Sequence, residues 1–302
     1  MQRTRRLGRR DRTIVIDVQT KALDEHQQLQ SLNVSGPSAT GQVFFQGAQI
    51  VQWTPNGADP VLWLGSRNQF RNADPIRGGI PICLPWFGST AAPRHGIART
   101  LPWQLTGVEQ NPEHVTLTFE LDYQRMATNT PTWPHPFRAR FQAKFSQFLT
   151  ITLQVTHLGD QPAIYEPALH PYFQVGDIRR VRISGLDNAP FTDRSTADTL
   201  EPGIGFTGQG IDRVYSCSKA ITIHDDANNR DIILHSPDAR SRVLWNPGAQ
   251  DAGSLHDLGE DDWQSFLCVE PGNVHENAIT LIPGEQHSFT SGIQVITQYT
   301  GR

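Results

Sequence analysis

Cysteine is scarce in this chain, with three copies among 302 residues. None of Cys83, Cys217 and Cys268 stands in a CxxC pair, and an odd number cannot close completely into internal disulfides. All three fall in or near apolar runs, so we expect buried free thiols rather than catalytic or redox groups. This usage fits a reducing compartment, and we predict a cytoplasmic protein.

Long hydrophobic runs and an excess of positive charge are also missing. No stretch approaches the roughly 18 apolar residues that a membrane span requires. The formal net charge of −4 argues against general attraction to nucleic acid or anionic membrane, so an anionic ligand would need a local group of arginines or lysines. We expect a small-molecule ligand, no nucleic acid and no membrane, in a monomer or weak dimer.

The amino terminus is the one strongly basic part of the chain, reading MQRTRRLGRRDR over residues 1–12. The apolar run that follows is too short for a targeting signal, and Asp17 interrupts it. We predict a disordered basic extension over residues 1–12 and a single domain over residues 13–302. With 37% hydrophobic and 19% charged residues, the chain has the composition of a globular protein.

Alternation of apolar and polar residues dominates the rest of the chain. It is unbroken over residues 115–121, 139–145 and 149–155, and this period is typical of strands with one face on a core. Short turns with glycine and proline separate the runs, and no strand–helix–strand rhythm appears. The sequence therefore predicts an all-β fold, one large antiparallel β-sandwich with few short helices. The single helical pattern covers residues 23–32. Shorter strand-like runs lie at residues 43–45, 61–64, 181–183, 221–224, 232–235, 243–245, 266–269 and 293–296.

An arginine precedes two glycines in the run IRGGIPICLPWFG of residues 76–88. Residues without a Cβ would let a ligand approach the backbone closely. The guanidinium fork of Arg77 suits a phosphate or a carboxylate, although it could instead pair with a local acid such as Asp74.

A second cationic segment, RHGIAR, places Arg94, His95 and Arg99 around one glycine. Together with Arg77 it could supply three guanidinium groups for one anion. The alternative is an ordinary solvated arginine cluster on a surface loop.

Two further segments carry groups suited to proton transfer. His170 lies in the apolar and aromatic run ALHPYF, where it is either a core histidine or an acid or base in a cleft. Glu270 ends the apolar run FLCVE, where a carboxylate is costly to bury unless it is paired or functional.

Taken together, these segments resemble the hexose-6-phosphate mutarotases (glucose-6-phosphate 1-epimerases), a branch of the aldose 1-epimerase superfamily. One motif alone would say little, but seven in the family's order are specific. They are IRGGIPICLPWFG at 76–88, RHGIAR at 94–99, WPHPF at 133–137, ALHPYF at 168–173, DRVY at 212–215, WNPG at 245–248 and FLCVE at 266–270.

The resemblance implies a galactose-mutarotase-like β-supersandwich with its site in a cleft on one sheet, and no metal or organic cofactor. The family's catalytic histidine matches His170, and its catalytic glutamate matches Glu270. The residues that follow, Pro171 and Pro271, depart from the Thr or Ser frequent in relatives; this bears on sugar preference. The substrate-binding positions match Arg77, Arg94, His95, Arg99 and Asp212.

Anomer exchange of a cyclic hexose requires one group to take the proton of the C1 hydroxyl and another to protonate the ring oxygen. We assign Glu270 as the base and His170 as the acid, and expect them to face each other across a pocket just wide enough for a pyranose. Asp212 would orient sugar hydroxyls. The 6-phosphate would be held by Arg77, Arg94 and Arg99.

Other functions remain open on the sequence. A relative acting on unphosphorylated sugars would share the scaffold, as would a carbohydrate-binding protein without catalysis. A glycoside hydrolase would need a pair of carboxylates, which Asp212 and Glu270 could mimic.

Overall fold

The computed structural model describes residues 15–22, 28–124, 133–194 and 206–298. The predicted extension over residues 1–12 lies outside them. The α-helix is Gly248–Ala252, and the 3-10 helices are Ala98–Thr100, Ile178–Arg180, Asp262–Ser265 and His275–Asn277. The strands are β1 Val15–Ala22, β2 Gln28–Ser35, β3 Ala39–Phe44, β4 Gln49–Pro55, β5 Ile82–Cys83, β6 Gln104–Gln110, β7 Val115–Tyr123, β8 Phe137–Phe145, β9 Phe148–His157, β10 Ala163–Tyr165, β11 Ala168–Leu169, β12 Tyr172–Gln174, β13 Val181–Ser184, β14 Phe191–Asp193, β15 Ile211–Ser216, β16 Ile221–Asp225, β17 Arg230–His235, β18 Ser241–Asn246, β19 Phe266–Gly272, β20 Ile279–Leu281 and β21 Gln286–Thr297.

Most strands belong to two large sheets. The eight-stranded sheet has the order β13-β16-β17-β21-β9-β8-β7-β6, and the seven-stranded sheet has the order β14-β15-β18-β19-β11-β5, with β12 also paired to β19. Strands β1 to β4 form a sheet of four, and β10 pairs with β20. The pairings between these strands are antiparallel, so the predicted all-β antiparallel architecture is confirmed.

Period-two alternation builds the core as the sequence predicts. Phe119, Phe141, Leu153 and Phe289 are register partners across four neighbouring strands of the eight-stranded sheet, and each is at most 1% exposed. Because side chains opposite each other in a ladder point to the same face, these residues form one apolar row. They pack in the main hydrophobic core of the chain.

The seven-stranded sheet uses both of its faces. Leu244 and Val269 are partners on β18 and β19 and belong to the main core. The next pair along the ladder is Val243 with Glu270, and Val243 lies in a separate small apolar cluster. Since successive residues of a strand point to opposite faces, Glu270 projects from the face opposite to that of Leu244 and Val269. This second face carries the site.

Two local predictions are wrong. The helix predicted for residues 23–32 falls partly outside the described residues, but its second half lies in strand β2, Gln28–Ser35. Pairing with β1 and β3 overrides the helical spacing of its leucines, since tertiary contacts outweigh weak local propensity. The strand predicted for residues 61–64 is reduced to isolated bridges at Leu62 and Leu64.

Within the described residues, no helix is both long and apolar enough to cross a membrane. The division into an extension and a single domain stays a prediction.

Candidate active site

The two residues proposed for proton transfer lie next to each other at strand β19. Glu270 belongs to this strand, and His170 stands between β11 and β12, which both pair with β19. His170 Nε2 lies 3.4 Å from Glu270 Oε1. The expectation that they face each other across a pyranose-wide pocket is wrong, because they are direct neighbours on one face of the sheet.

Burial favours the neutral form of both groups. His170 is 5% exposed and Glu270 is 1% exposed. Burial, together with the positive charge of Arg99 and other arginines, holds the pKa of His170 well below its usual value. Burial and the nearby Asp212 carboxylate raise the pKa of Glu270 well above its usual value. Nδ1 of His170 and Oε2 of Glu270 have no hydrogen-bond partner among the described residues.

Aromatic rings fix the orientation of the His170 imidazole. Tyr172 stacks on it at 4.8 Å between centroids and 9° between planes. Trp245 and His95 meet it edge-on, at 5.9 Å and 5.3 Å. Such packing leaves the ring few alternative rotamers.

His95 sits in a turn that requires the glycine after it. Its φ is +63°, and that of Gly96 is +76°. A Cβ at Gly96 would collide with the carbonyl oxygen of Leu84. The amide N–H of Gly88 donates to His95 Nδ1 at 3.3 Å, so the neutral ring carries its proton on Nε2. Burial and the neighbouring His170 lower the pKa of His95, which favours this neutral donor.

Arg77 is paired with a distant acid instead of Asp74. Its Nε and Nη2 donate to the two carboxylate oxygens of Asp257, both at 3.0 Å. Its third nitrogen, Nη1, donates to the Tyr172 hydroxyl at 3.1 Å. The alternative of a structural ion pair is thus realised with a different acid, and Nη1 and Nη2 each keep one N–H free of these contacts.

The sequence suggested that the two glycines after Arg77 let a ligand approach the backbone. In the structure, neighbouring backbone occupies that space instead. Gly79 has φ of +63°, and a Cβ there would collide with the Ile50 carbonyl oxygen. A Cβ at Gly78 would lie 2.5 Å from the Trp63 carbonyl oxygen. These glycines instead let the segment that carries Arg77 pass close to neighbouring backbone.

Arg99 is a poorly compensated cation. Its Nη2 donates to the backbone carbonyl of Arg94 at 2.6 Å, whereas its buried Nε has no hydrogen-bond partner among the described residues. Burial lowers the pKa of Arg99, and the nearby arginines lower it further. An anion bound here would offset the free-energy cost of burying the positive charge of Arg99.

Asp212 stands on the other side of the pair. It lies on β15 opposite Trp245 of β18. Burial raises the pKa of the Asp212 carboxylate above its usual value. A half-buried carboxylate of this kind can accept hydrogen bonds from sugar hydroxyls.

Two cavities lie next to aromatic rings that contact His170, and the residues that line them include neither His170 nor Glu270. The arginine cavity has a volume of about 260 Å³, and the aspartate cavity has a volume of about 300 Å³. Tyr172 lines the first and Trp245 lines the second, and both rings contact His170. The arginine cavity is lined by ionisable side chains of Arg67, Arg71, Arg77, Arg99, Asp74, His256 and Asp257. The aspartate cavity is lined by those of Arg94, Arg194, Asp212 and Asp251.

The arrangement separates residues that the sequence grouped. Arg77 and Arg99 share the arginine cavity, but Arg94 lines the aspartate cavity with Asp212. Sequence reasoning missed Asp257 and Tyr172, because nothing local marks an acid 180 residues from the arginine it binds. It also missed Arg67, Arg71, Arg194 and His256.

Three metal-binding side chains lie together in the site. Donor atoms of His170, Cys268 and Glu270 all fall within 4.8 Å of one another. Burial and the nearby Glu270 raise the pKa of the Cys268 thiol well above its usual value, so the thiolate that a soft metal needs is disfavoured. The absence of a metal or organic cofactor stays a prediction.

Comparison with known proteins defines the class of this chain. The family model for aldose 1-epimerase matches residues 34–294, so the protein belongs to the aldose 1-epimerase family. It is an isomerase of carbohydrate metabolism.

Similar proteins narrow the branch. A protein of Escherichia coli (strain K12), provisionally named glucose-6-phosphate 1-epimerase, is 36% identical over 266 residues, covering 85% of this chain and 86% of its own. One of Cenchrus ciliaris with the same provisional name is 30% identical, covering 81% and 78%. The crystal structure of YeaD from Salmonella typhimurium, provisionally named a mutarotase, superposes with a TM-score of 0.81 at 30% identity, covering 94% of this chain and 97% of that one.

Proposed function

We propose that this protein interconverts the α and β anomers of a hexose 6-phosphate, with glucose 6-phosphate as the reference substrate. The observation that carries the proposal is the buried contact of 3.4 Å between His170 and Glu270, placed beside a cavity lined by four arginines. The provisional names of the relatives in Escherichia coli and Cenchrus ciliaris support the same substrate.

The closeness of acid and base suits the reaction. The C1 hydroxyl oxygen O1 and the ring oxygen O5 are bonded to the same carbon, so the groups that serve them must be neighbours. Glu270 takes the proton from O1 while His170 gives one to O5, and the C1–O5 bond breaks. The open aldehyde then rotates about C1–C2. Ring closure on the other face of the carbonyl reverses both transfers.

The pair carries one proton throughout this cycle. Before ring opening the proton is on His170, and afterwards it is on Glu270. The raised pKa of Glu270 and the lowered pKa of His170 both favour the second state. Burial therefore disfavours the ionised pair from which ring opening starts, and the negative charge of a bound phosphate would raise the pKa of His170 towards that state.

The arginine cavity is the proposed phosphate site. Arg77 is held in place by Asp257 and keeps N–H groups for a phosphate, and Arg99 is a buried cation without an acidic partner among the described residues. Each charge-assisted contact contributes about 1.5–3 kcal/mol. The sugar ring then lies over His170 and Glu270, with its other hydroxyls reaching Asp212 and Arg94 in the aspartate cavity.

The nearest alternative is an aldose 1-epimerase that acts on free sugars. It would require no cation at the C6 end, whereas the arginine cavity offers four. Turnover of glucose and of glucose 6-phosphate, compared at equal concentration, separates the two activities. The cytoplasmic location stays a prediction, supported by three free, buried cysteines.

Substitution Glu270→Gln tests the proposed function. The amide cannot accept the O1 proton, so we expect anomer exchange to fall by about 10²–10⁴-fold. Magnetisation transfer between the two anomeric ¹H signals of glucose 6-phosphate measures the rate directly. The matched control is Glu120→Gln, which removes a half-buried carboxylate on β7 and should keep the rate of the unaltered protein. Near-normal exchange in Glu270→Gln would reject this residue as the base, and no acceleration by the unaltered protein would reject the function.

A further inference from the structure

A continuous set of contacts joins the arginine cavity to the catalytic histidine. Asp257 binds Arg77 through two hydrogen bonds of 3.0 Å, Arg77 donates to the Tyr172 hydroxyl at 3.1 Å, and Tyr172 stacks on His170. Tyr172 and His170 also pack against Trp245, so the set is embedded in an aromatic cluster. We propose that Asp257 and Tyr172 are positioning residues that hold the phosphate-binding guanidinium and the catalytic imidazole in one fixed register. The inference rests on the proposed function.

The first contact fixes the guanidinium plane. A carboxylate facing Nε and Nη2 with two bonds of equal length allows one orientation of the fork. Arg77 and Asp257 side chains are only 21% and 17% exposed, so solvent screens the pair weakly. Nη1 and Nη2 of Arg77 each keep one N–H outside these contacts, and these N–H groups are the proposed donors to phosphate oxygens.

The second contact joins this fork to the acid. Tyr172 is 3% exposed, and burial raises the pKa of its hydroxyl, so it stays a neutral group that can accept from Arg77. The ring lies parallel to the imidazole of His170, within 9°. Tyr172, which also packs against Trp63 and Phe266, therefore links the position of Arg77 to that of the proposed proton donor.

The consequence is a division of labour within the site. Arg99 supplies charge to the phosphate, whereas Asp257 and Tyr172 determine where the bound phosphate places O5 relative to His170 Nε2. Loss of such a constraint lowers the rate of the chemical step more than the affinity, because the phosphate still binds but the reacting atoms are misplaced.

Two variants test the proposal. Asp257→Asn keeps the shape of the side chain but removes the charge that fixes Arg77, and Tyr172→Phe removes the hydroxyl but keeps the stacked ring. For glucose 6-phosphate we expect kcat to fall about 10- to 100-fold in the first and by a smaller factor in the second. KM should stay within about twofold in both. Should Asp257→Asn fail to fold, Tyr172→Phe alone decides.

The control is a second arginine–aspartate pair with the same donor pattern. Arg182 Nε and Nη2 donate to Asp226 at 3.2 Å and 3.0 Å on the surface of the eight-stranded sheet. Asp226→Asn should leave both kinetic constants unchanged. A rise in KM at constant kcat, an unchanged kcat, or an equal loss in Asp226→Asn would overturn the positioning role. Inactivity of the unaltered protein would instead count against the proposed function.

Discussion

At the scale of single residues, Arg99 shows how its surroundings make a common side chain a candidate for anion binding. It stands three residues after Gly96 in a loop that the sequence could equally assign to the solvated surface. In the structure its Nε is buried and unpaired among the described residues, and burial lowers its pKa. An arginine with a buried N–H that lacks a hydrogen-bond partner gains more from a bound anion than a solvated arginine does.

Arg99→Gln and Arg94→Gln should therefore behave differently. For Arg99→Gln we expect kcat/KM for glucose 6-phosphate to fall by about 10- to 150-fold, which corresponds to the loss of about 1.5–3 kcal/mol. Turnover of glucose should change little. Arg94→Gln, which alters the other cavity, should affect both sugars alike. Steady-state rates with the two substrates measure this, and equal losses for both sugars in Arg99→Gln would contradict the phosphate site.

At the scale of elements, the site depends on how close several backbones come to one another. Strand β19 carries Glu270 in its middle and has β18 on one side and the interrupted pair β11 and β12 on the other. The interruption falls at His170 and Pro171, and proline has no N–H to give to a ladder. The break leaves the imidazole beside the glutamate.

Gly79 tests the role of such close approach. Gly79→Ala adds a Cβ that collides with the Ile50 carbonyl, in a backbone conformation that already disfavours alanine. We expect the free energy of unfolding to fall by about 3 kcal/mol or more.

The matched control is Gly284→Ala, since Gly284 also has positive φ (+80°) but has nothing within 4 Å of an added Cβ. Its free energy of unfolding should fall by only about 1–2 kcal/mol, because the unfavourable backbone conformation is the one cost of this substitution. Urea unfolding followed by tryptophan fluorescence measures both variants. Equal losses would show that the contact with Ile50 contributes nothing.

At the scale of the whole molecule, stability and activity compete at Glu270. Its raised pKa means that the folded protein resists ionisation of a group that the unfolded chain ionises freely above its usual pKa of 4.5. Below that pH the group is protonated in both states and costs nothing. Stability is therefore lost as the pH rises from there towards the pKa in the folded state.

Glu270→Gln should remove this cost along with the activity. We expect its Tm to exceed that of the unaltered protein, by more at pH 8 than at pH 5, because glutamine does not titrate. Thermal unfolding at the two pH values provides the measurement. A variant that is less stable at pH 8 would mean that the ionised carboxylate contributes net stabilisation in the folded state.

The sequence by itself determined the class of fold and the family, and it supplied the candidate groups for the proposed chemistry. Alternation over residues 115–121, 139–145 and 149–155 is a local property of the chain, and it specifies strands with one buried face wherever they pair. The motifs around His170 and Glu270 likewise predict reactive groups without reference to their neighbours. The segment at residues 28–32 shows where a local pattern fails to predict the structure. Its leucine spacing suits a helix, but pairing with β1 and β3 makes it a strand.

Only the tertiary structure decided how those groups are arranged. The side-by-side contact of His170 and Glu270, the pairing of Arg77 with Asp257 and the separation of Arg94 from Arg99 into different cavities all join residues distant in sequence or divide residues close in sequence. Such contacts depend on strand order and on which face each side chain takes. Those features are set by long-range pairing and packing, and a pattern read along one segment carries no information about its partner.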